Sequence, residues 1–303
     1  MGTGTKAAVI GLGSMGMGIA RSLLRAGLDT RGADVNAAAC EVFRAAGGGV
    51  VGSPADYADR DVVVVVVVNA AQTEAVLFGE TGIVPHLAPG TAIVSCATVA
   101  PDFARSMEAR CREAGLLYLD APISGGQVRA NDGTLAVMAA GVPEAFAKAR
   151  PALDAMAATV FELGDAAGPG SAMKAVNQLL VGVQLAAMGE AITFGMTQGV
   201  SPEQFLEVIP KCAGTSWVLE NRAPHVVAGD YTPLSAVDIW LKDLGIVSDI
   251  ARGAKFSAPL VAAALQQFAA ASGMGLGAED DAAVTKVYAR NARLTLPGEG
   301  QDG

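Results

Sequence analysis

Residues 7–36 read AAVIGLGSMGMGIARSLLRAGLDTRGADVN, and no other stretch so narrows what the chain can fold into. An apolar run leads into Gly11-x-Gly13-x-x-Gly16, a helical stretch sets Ile19, Leu23 and Leu24 on one face, and Asp34 closes a second strand-like run. Gly11 permits the tight turn out of the strand, Gly13 lets backbone approach a pyrophosphate, and Gly16 lets the helix pack on the sheet. Leu12, Ser14 and Met15 complete the loop, and the helix start offers free N–H groups and partial positive charge to phosphates. A Gly-rich turn without ligand also arises wherever a strand meets a helix; here the flanking strand, the amphipathic helix and the acidic end all fall where dinucleotide binding requires them. Asp34 stands about 20 residues past the glycines, where a carboxylate accepts both hydroxyls of an adenosine ribose. NAD is therefore expected rather than NADP. Arg31 is suited to a 2′-phosphate, but Asp34 would repel that group.

With 303 residues the chain can form two domains, each with a sizeable core. A net charge of −9 without a basic patch disfavours nucleic acid as a partner. Cys40, Cys96, Cys111 and Cys212 lack C-x-x-C spacing, and only His86 and His225 could join them, so reduced thiols and no metal are expected. The opening MGTGTK lacks signal-peptide character, which gives a cytoplasmic expectation. The apolar block Val62–Val68 is far shorter than the roughly 20 residues of a membrane helix and reads as a central strand buried on both faces, with no membrane partner.

Strand-like runs recur at 7–10, 29–33, 62–68, 92–95, 117–120, 135–140 and 159–161, with helical or polar stretches between most of them. That alternation predicts an α/β fold: an N-terminal Rossmann domain with a doubly wound parallel sheet over 1–165. The pattern then changes to long helical stretches, which predicts an all-helical C-terminal domain over 166–294 and a frayed tail over 295–303. The stretch from Ser171 is too long and apolar to face solvent throughout, which predicts a homodimer or homotetramer.

Three further segments combine glycines with isolated polar groups. In Asp120-Ala-Pro-Ile-Ser124-Gly125-Gly126, uncovered backbone N–H groups beside a hydroxyl suit a carboxylate, although a flexible turn fits the segment equally well. In the helical stretch after Gly168-Pro-Gly170, Lys174 and Asn177 share one face. Lys174 sits among Ala172, Met173, Ala175 and Val176, surroundings that lower an amine's pKa and suit it to exchange a proton with a hydroxyl. Lys242 could bring a second positive charge to the site, but spacing alone favours an intrahelical pair with Asp238.

In order, GLGSMGMGIARSLL, DAPISGGQVRANDGTLAVMAAG, GPGSAMKAVNQLL and KDLGIVSD resemble the β-hydroxyacid dehydrogenases, the 3-hydroxyisobutyrate dehydrogenase-like superfamily. The resemblance implies a Rossmann domain, an all-helical domain and reversible oxidation of a small hydroxy acid with NAD or NADP. By motif it implies that Ser124, Gly125 and Gly126 hold the substrate carboxylate, Lys174 transfers the proton and Asn177 orients the substrate. It also places Lys242, Thr98 of SCATVAP and Asn69 beside the cofactor. Within the superfamily, VNAAQTEAVLFG, VNQLLVGVQLAAMGEA and SWVLENRAPHVVAGDYTPLSAVDIWLKDLG look most like the branch that oxidises L-threonate, with Gln184 standing where that branch has a histidine. The same motifs fit oxidation of 3-hydroxyisobutyrate or reduction of tartronate or succinic semialdehyde. A non-catalytic NAD-binding scaffold or an imine reductase would share the fold but typically lacks the lysine. Gln127, Asn131, Trp217, Arg222 and Asp238 are candidates for reading further substrate hydroxyls.

Overall fold

The computed structural model describes residues 4–299. The chain divides into two compact units, residues 1–174 and 175–303. In the first, six parallel strands, β1 (Lys6–Ile10), β2 (Asp29–Ala33), β3 (Gly49–Val50), β4 (Val62–Val65), β5 (Ala92–Ser95) and β6 (Leu117–Asp120), lie in the order β3-β2-β1-β4-β5-β6. This is the doubly wound order of dinucleotide-binding sheets. Helices α1 (Ser14–Arg25), α2 (Ala37–Ala45), α3 (Ala70–Phe78), α4 (Pro101–Glu113), α5 (Gly126–Asp132) and α6 (Pro143–Met156) accompany the strands.

Side-chain alternation along the strands builds a core on each face of the sheet. Ala7, Val9, Val62, Val64, Ala92 and Val94 join one cluster, while Ala8, Ile10, Val63, Val65 and Ile93 join the other. All four valines of β4 are fully buried, each worth about 1.5–3 kcal/mol relative to exposure. The strand ends at Val65, short of the expected Val68. Beyond it the Val66 carbonyl faces Gly11, where an added Cβ would lie 2.2 Å from the oxygen, and the Val68 N–H turns to Gln72 Oε1 at 2.8 Å as α3 begins.

The sequence places 135–140 and 159–161 in the same sheet, but they leave it. With β7 (Ile123–Ser124), the strands β8 (Leu135–Ala139) and β9 (Ala157–Glu162) form a separate three-stranded sheet. Asp120 and Ala140 meet as an antiparallel bridge, so this part of the chain runs against β6 and does not extend the parallel order.

The second unit is helical. It comprises most of α7 (Pro169–Thr197), then α8 (Pro202–Val208), α9 (Trp217–Ala228), α10 (Val237–Gly253), α11 (Pro259–Ala271) and α12 (Thr285–Ala292) around a core that includes Leu185, Met188, Trp240, Leu244 and Phe268. Leu296, in the stretch expected to fray, is buried in that core, and residues 300–303 lie outside the described residues.

Candidate active site

Within the first unit, the polar groups singled out in the sequence gather beyond the C-terminal ends of the parallel strands, where open α/β sheets bind ligands. Gly11 follows β1 with φ +93°, and an added Cβ on Gly16 would lie 1.7 Å from the Gly11 carbonyl oxygen, so neither position admits a side chain. Gly13, the N-cap of α1, behaves differently. No atom stands within 4 Å of where its Cβ would be, and no side chain caps the helix. Open space in front of uncapped N–H groups fits a pyrophosphate, so the loop suits a dinucleotide. At the end of β2, Asp34 Oδ2 accepts the Leu12 N–H at 2.6 Å and Oδ1 accepts the Asn36 N–H at 2.7 Å. Arg31 donates to the Asp56 carbonyl at 3.1 Å and lies 3.7 Å from its carboxylate. After β4, Asn69 Oδ1 caps α3 through the Gln72 N–H at 2.9 Å, and half-buried Thr98 follows β5.

After β6, Ser124, Gly125 and Gly126 form a turn in which Gly125 (φ +129°) and Gly126 (φ +71°) both take conformations that favour glycine. An added Cβ on Gly125 would crowd the Arg129 side chain at 2.6 Å, whereas Gly126 faces open space. Gly126 is exposed and Ser124 is half-buried. The helix that follows, α5, packs on α1: Ser22 Oγ donates to the Ala130 carbonyl at 3.0 Å and Arg25 donates to the Asn131 carbonyl.

Lys174 is 8 % exposed, on the face of α7 that carries buried Ser171 one turn earlier. Met173, next to Lys174 in sequence, and Val176, two residues on, are exposed. The lysine thus lies on a polar stripe of an otherwise apolar helix, which apolar sequence neighbours do not reveal. The helix start is held by Asp120, whose carboxylate accepts the Gly168 N–H at 2.9 Å, the Ser171 N–H at 2.8 Å and the Ser171 hydroxyl at 2.6 Å. Burial pushes the Asp120 carboxyl above its ordinary value, against the lowering effect of those bonds. Neither Asp120 nor Ser171 stands out in the sequence as a site residue. The only hint is that Asp120 opens the Ser-Gly-Gly segment and Ser171 opens the lysine's.

In the second unit a polar chain links two more of the expected residues. Asn177 Nδ2 donates to Gln178 Oε1 at 2.9 Å, Gln178 Nε2 donates to Asp243 Oδ2, and Lys242 Nζ lies 2.7 Å from Asp243 Oδ1. Gln178 and Asp243 are buried. The structure thus pairs Lys242 with its neighbour Asp243.

Comparison with known proteins places this arrangement. Residues 6–164 match the NAD-binding domain of 6-phosphogluconate dehydrogenase, and residues 168–288 match the NAD-binding domain of NADP-dependent 3-hydroxyisobutyrate dehydrogenase. The L-threonate dehydrogenase of Cupriavidus necator is 49 % identical over 97 % of this chain and 98 % of its own. The chain belongs to the β-hydroxyacid dehydrogenases. This dehydrogenase is also 47 % identical to the L-threonate dehydrogenase of Escherichia coli over 96 % of each chain. A crystal structure of a 3-hydroxyisobutyrate dehydrogenase from Salmonella typhimurium, 45 % identical, superposes with a TM-score of 0.89 over 93 % of this chain and 99 % of that one. The dehydrogenase therefore pairs an NAD-binding Rossmann domain with a helical domain and acts on a hydroxy acid.

Among the candidates for reading further hydroxyls, Arg222 is taken up elsewhere. Its Nε donates to buried Asp281 at 2.7 Å and lies 3.6 Å from buried Asp280, while Trp240 Nε1 donates to Asp281 at 2.9 Å. Asp238 lies against Gly277, where an added Cβ would be 2.4 Å from its Oδ2. Gln127, Asn131 and Gln184 are half-buried, and Trp217 is exposed.

Proposed function

We propose that this dehydrogenase oxidises L-threonate at its 2-hydroxyl with NAD, and that Lys174 takes the hydroxyl proton. The observation that carries the reading is near-full-length similarity to L-threonate dehydrogenases together with a lysine buried on the polar stripe of α7. Bound NAD would supply the acceptor for the hydride. On the chain's side, Gly11–Gly16 with Leu12, Ser14 and Met15 would hold the pyrophosphate, and Asp34 the adenosine ribose. Asn69, Thr98 and Lys242 would line the cofactor. Ser124, Gly125 and Gly126 would hold the carboxylate, and Asn177 would orient the substrate. Hydride loss builds positive charge on the carbon, so proton removal by the Lys174 amine stabilises the transition state, a contribution of about 10²–10⁴ in rate. Asp34, which would repel a 2′-phosphate, supports NAD over NADP, and the ties between Arg31 and Asp56 add to that preference.

NADH formation measured with L-threonate, D-threonate, 3-hydroxyisobutyrate, D-glycerate and 4-hydroxybutyrate, each with NAD and NADP, tests the reading. L-Threonate with NAD is expected to give the highest kcat/KM. A preference for 3-hydroxyisobutyrate, the substrate in the Salmonella protein's name, would support that acid in its place, with Gln184 the first residue to exchange.

We further propose a cytoplasmic homodimer or homotetramer that binds neither nucleic acid nor membrane. Among the described residues, α7 is the one helix long and apolar enough to cross a membrane. It nevertheless buries Ser171, Lys174 and Gln178, while Met173, Val176, Leu180 and Phe194 face outward. A second copy covering that outward stripe would bury it. Light scattering is expected to give a multiple of 30.5 kDa, falling to the monomer mass in Leu180→Glu/Phe194→Glu. A monomeric wild type would refute the assembly.

A further inference from the structure

We propose that Asp120 is the residue that positions Lys174 relative to the Ser124–Gly126 loop. The inference rests on the reading of Lys174 as the proton acceptor. Asp120 ends β6, with its backbone fixed on two sides: it is in register with Ser95 of β5, and it exchanges both backbone bonds with Ala140, at 3.0 and 2.9 Å. Its carboxylate then reaches 48 and 51 residues along the chain to the N–H groups of Gly168 and Ser171 and to the Ser171 hydroxyl.

A helix start can be capped by a side chain of its own N-cap residue. Here α7 opens with Gly168-Pro169-Gly170, which offers no such group, and the cap comes from the strand. Gly170 makes the approach possible, since an added Cβ would lie 2.5 Å from the carbonyl oxygens of both Asp120 and Met138. Lys174 follows Ser171 by three residues on the same face, about 4.5 Å along the axis. In the other direction, buried Ala121, Pro122 and Ile123 lead from Asp120 to Ser124, which pairs with Ala136 of β8. Loop and lysine are thus both referenced to one residue. A misplacement of about 1 Å at a reacting group can cost about 10²-fold in rate.

Position, and not charge, is what this role requires. An asparagine can accept the two N–H groups through Oδ1 while its Nδ2 donates to the Ser171 oxygen. It also avoids ionising a group whose burial opposes charge.

The experiment measures kcat per NADH-binding site, substrate KM and NADH Kd for Asp120→Ala, Asp120→Asn and Ser171→Ala, beside Lys174→Ala. Asp120→Ala is expected to lose at least about tenfold in kcat, with KM and NADH Kd within about threefold, and Asp120→Asn to recover most of that loss. Ser171→Ala, which deletes only the hydroxyl bond, should lower kcat several-fold with the same split. Wild-type kcat in Asp120→Ala and Ser171→Ala would overturn the inference, as would an Asp120→Asn enzyme as slow as Asp120→Ala. If Lys174→Ala itself turns over normally, the proton-acceptor reading fails; an inactive Lys174→Ala beside a fully active Asp120→Ala sinks only the positioning role.

Discussion

Gly18 of α1 lies directly on the backbone of Ala130 in α5: a Cβ added to Gly18 would stand 2.7 Å from the Ala130 carbonyl carbon and 2.9 Å from its Cβ. The helix that follows the Gly11–Gly16 loop thereby touches the helix that follows the Ser124–Gly126 turn. Because the obstruction includes backbone, Gly18→Val must separate the two helices, and such overpacking costs about 1–3 kcal/mol. A lowered urea midpoint together with weakened NADH binding is expected. Unchanged values for both would show that the contact relaxes without consequence.

One substitution separates the ribose role proposed for Asp34 from its structural one. It accepts the Leu12 N–H at 2.6 Å and so ties β2 to the glycine loop. A serine can keep one acceptor while removing the charge that repels a 2′-phosphate. Asp34→Ser is expected to raise the NADP-to-NAD ratio of kcat/KM by at least about tenfold, chiefly by weakening NAD. A ratio that stays at the wild-type value would remove Asp34 from cofactor choice.

The parts of this architecture written in local pattern were legible in the sequence: Gly11 and Gly16 mark a turn that only glycine allows, and the valine run from Val62 reads as a buried strand, although that strand ends at Val65 and not at the expected Val68. What pattern does not carry is direction and long-range pairing. The run at 135–140 has the composition of a sheet strand, yet the chain reverses after Asp120 and sends it to a second sheet. The two-residue strands β3 and β7 are too short to leave a periodic signal. Asp120 and Asp243 escaped notice for a related reason. Each does its work through partners some fifty or more residues away, at Ser171 and Gln178, and neither spacing is encoded by helical or strand periodicity.

Lys174→Ala separates binding from chemistry. Cofactor contacts assigned to the glycine loop and Asp34 are untouched, so NADH Kd should stay within about threefold while kcat falls by about 10²–10⁴. A loss confined to KM would instead make Lys174 a binding group.

Asp243 receives Gln178 on one oxygen and Lys242 on the other, inside the helical domain. Removing the carboxylate in Asp243→Ala strands a buried amide donor, a defect of about 1–3 kcal/mol. Lys242 stays partly hydrated, which limits the further loss. Asp243→Asn can still accept Gln178 through Oδ1 but turns its Nδ2 donor toward the Lys242 ammonium, which is partly exposed and can withdraw, so a smaller drop in thermal midpoint is expected for asparagine than for alanine. Equal drops would locate the stabilisation in the charge alone.

Asp61 gives a pH dependence of defined sign. Its Oδ1 accepts from Lys148 of α6 at 2.6 Å and its Oδ2 accepts the Lys6 N–H at 2.9 Å, and these bonds hold its carboxyl below the ordinary value of 3.8. A carboxyl with a depressed folded value stabilises the fold above its unfolded value and loses that contribution as pH falls through the folded one. The pair is more than a third exposed, so solvent screening keeps its worth below about 1 kcal/mol. Asp61→Asn should therefore lower the urea midpoint slightly at neutral pH and by progressively less as the pH drops below 3.8. High salt should shrink the neutral-pH difference as well, because the Lys148 contact is a screened surface ion pair. A difference that grows on acidification would mean that Asp61 is strained in the fold and that the Lys148 contact does not stabilise it.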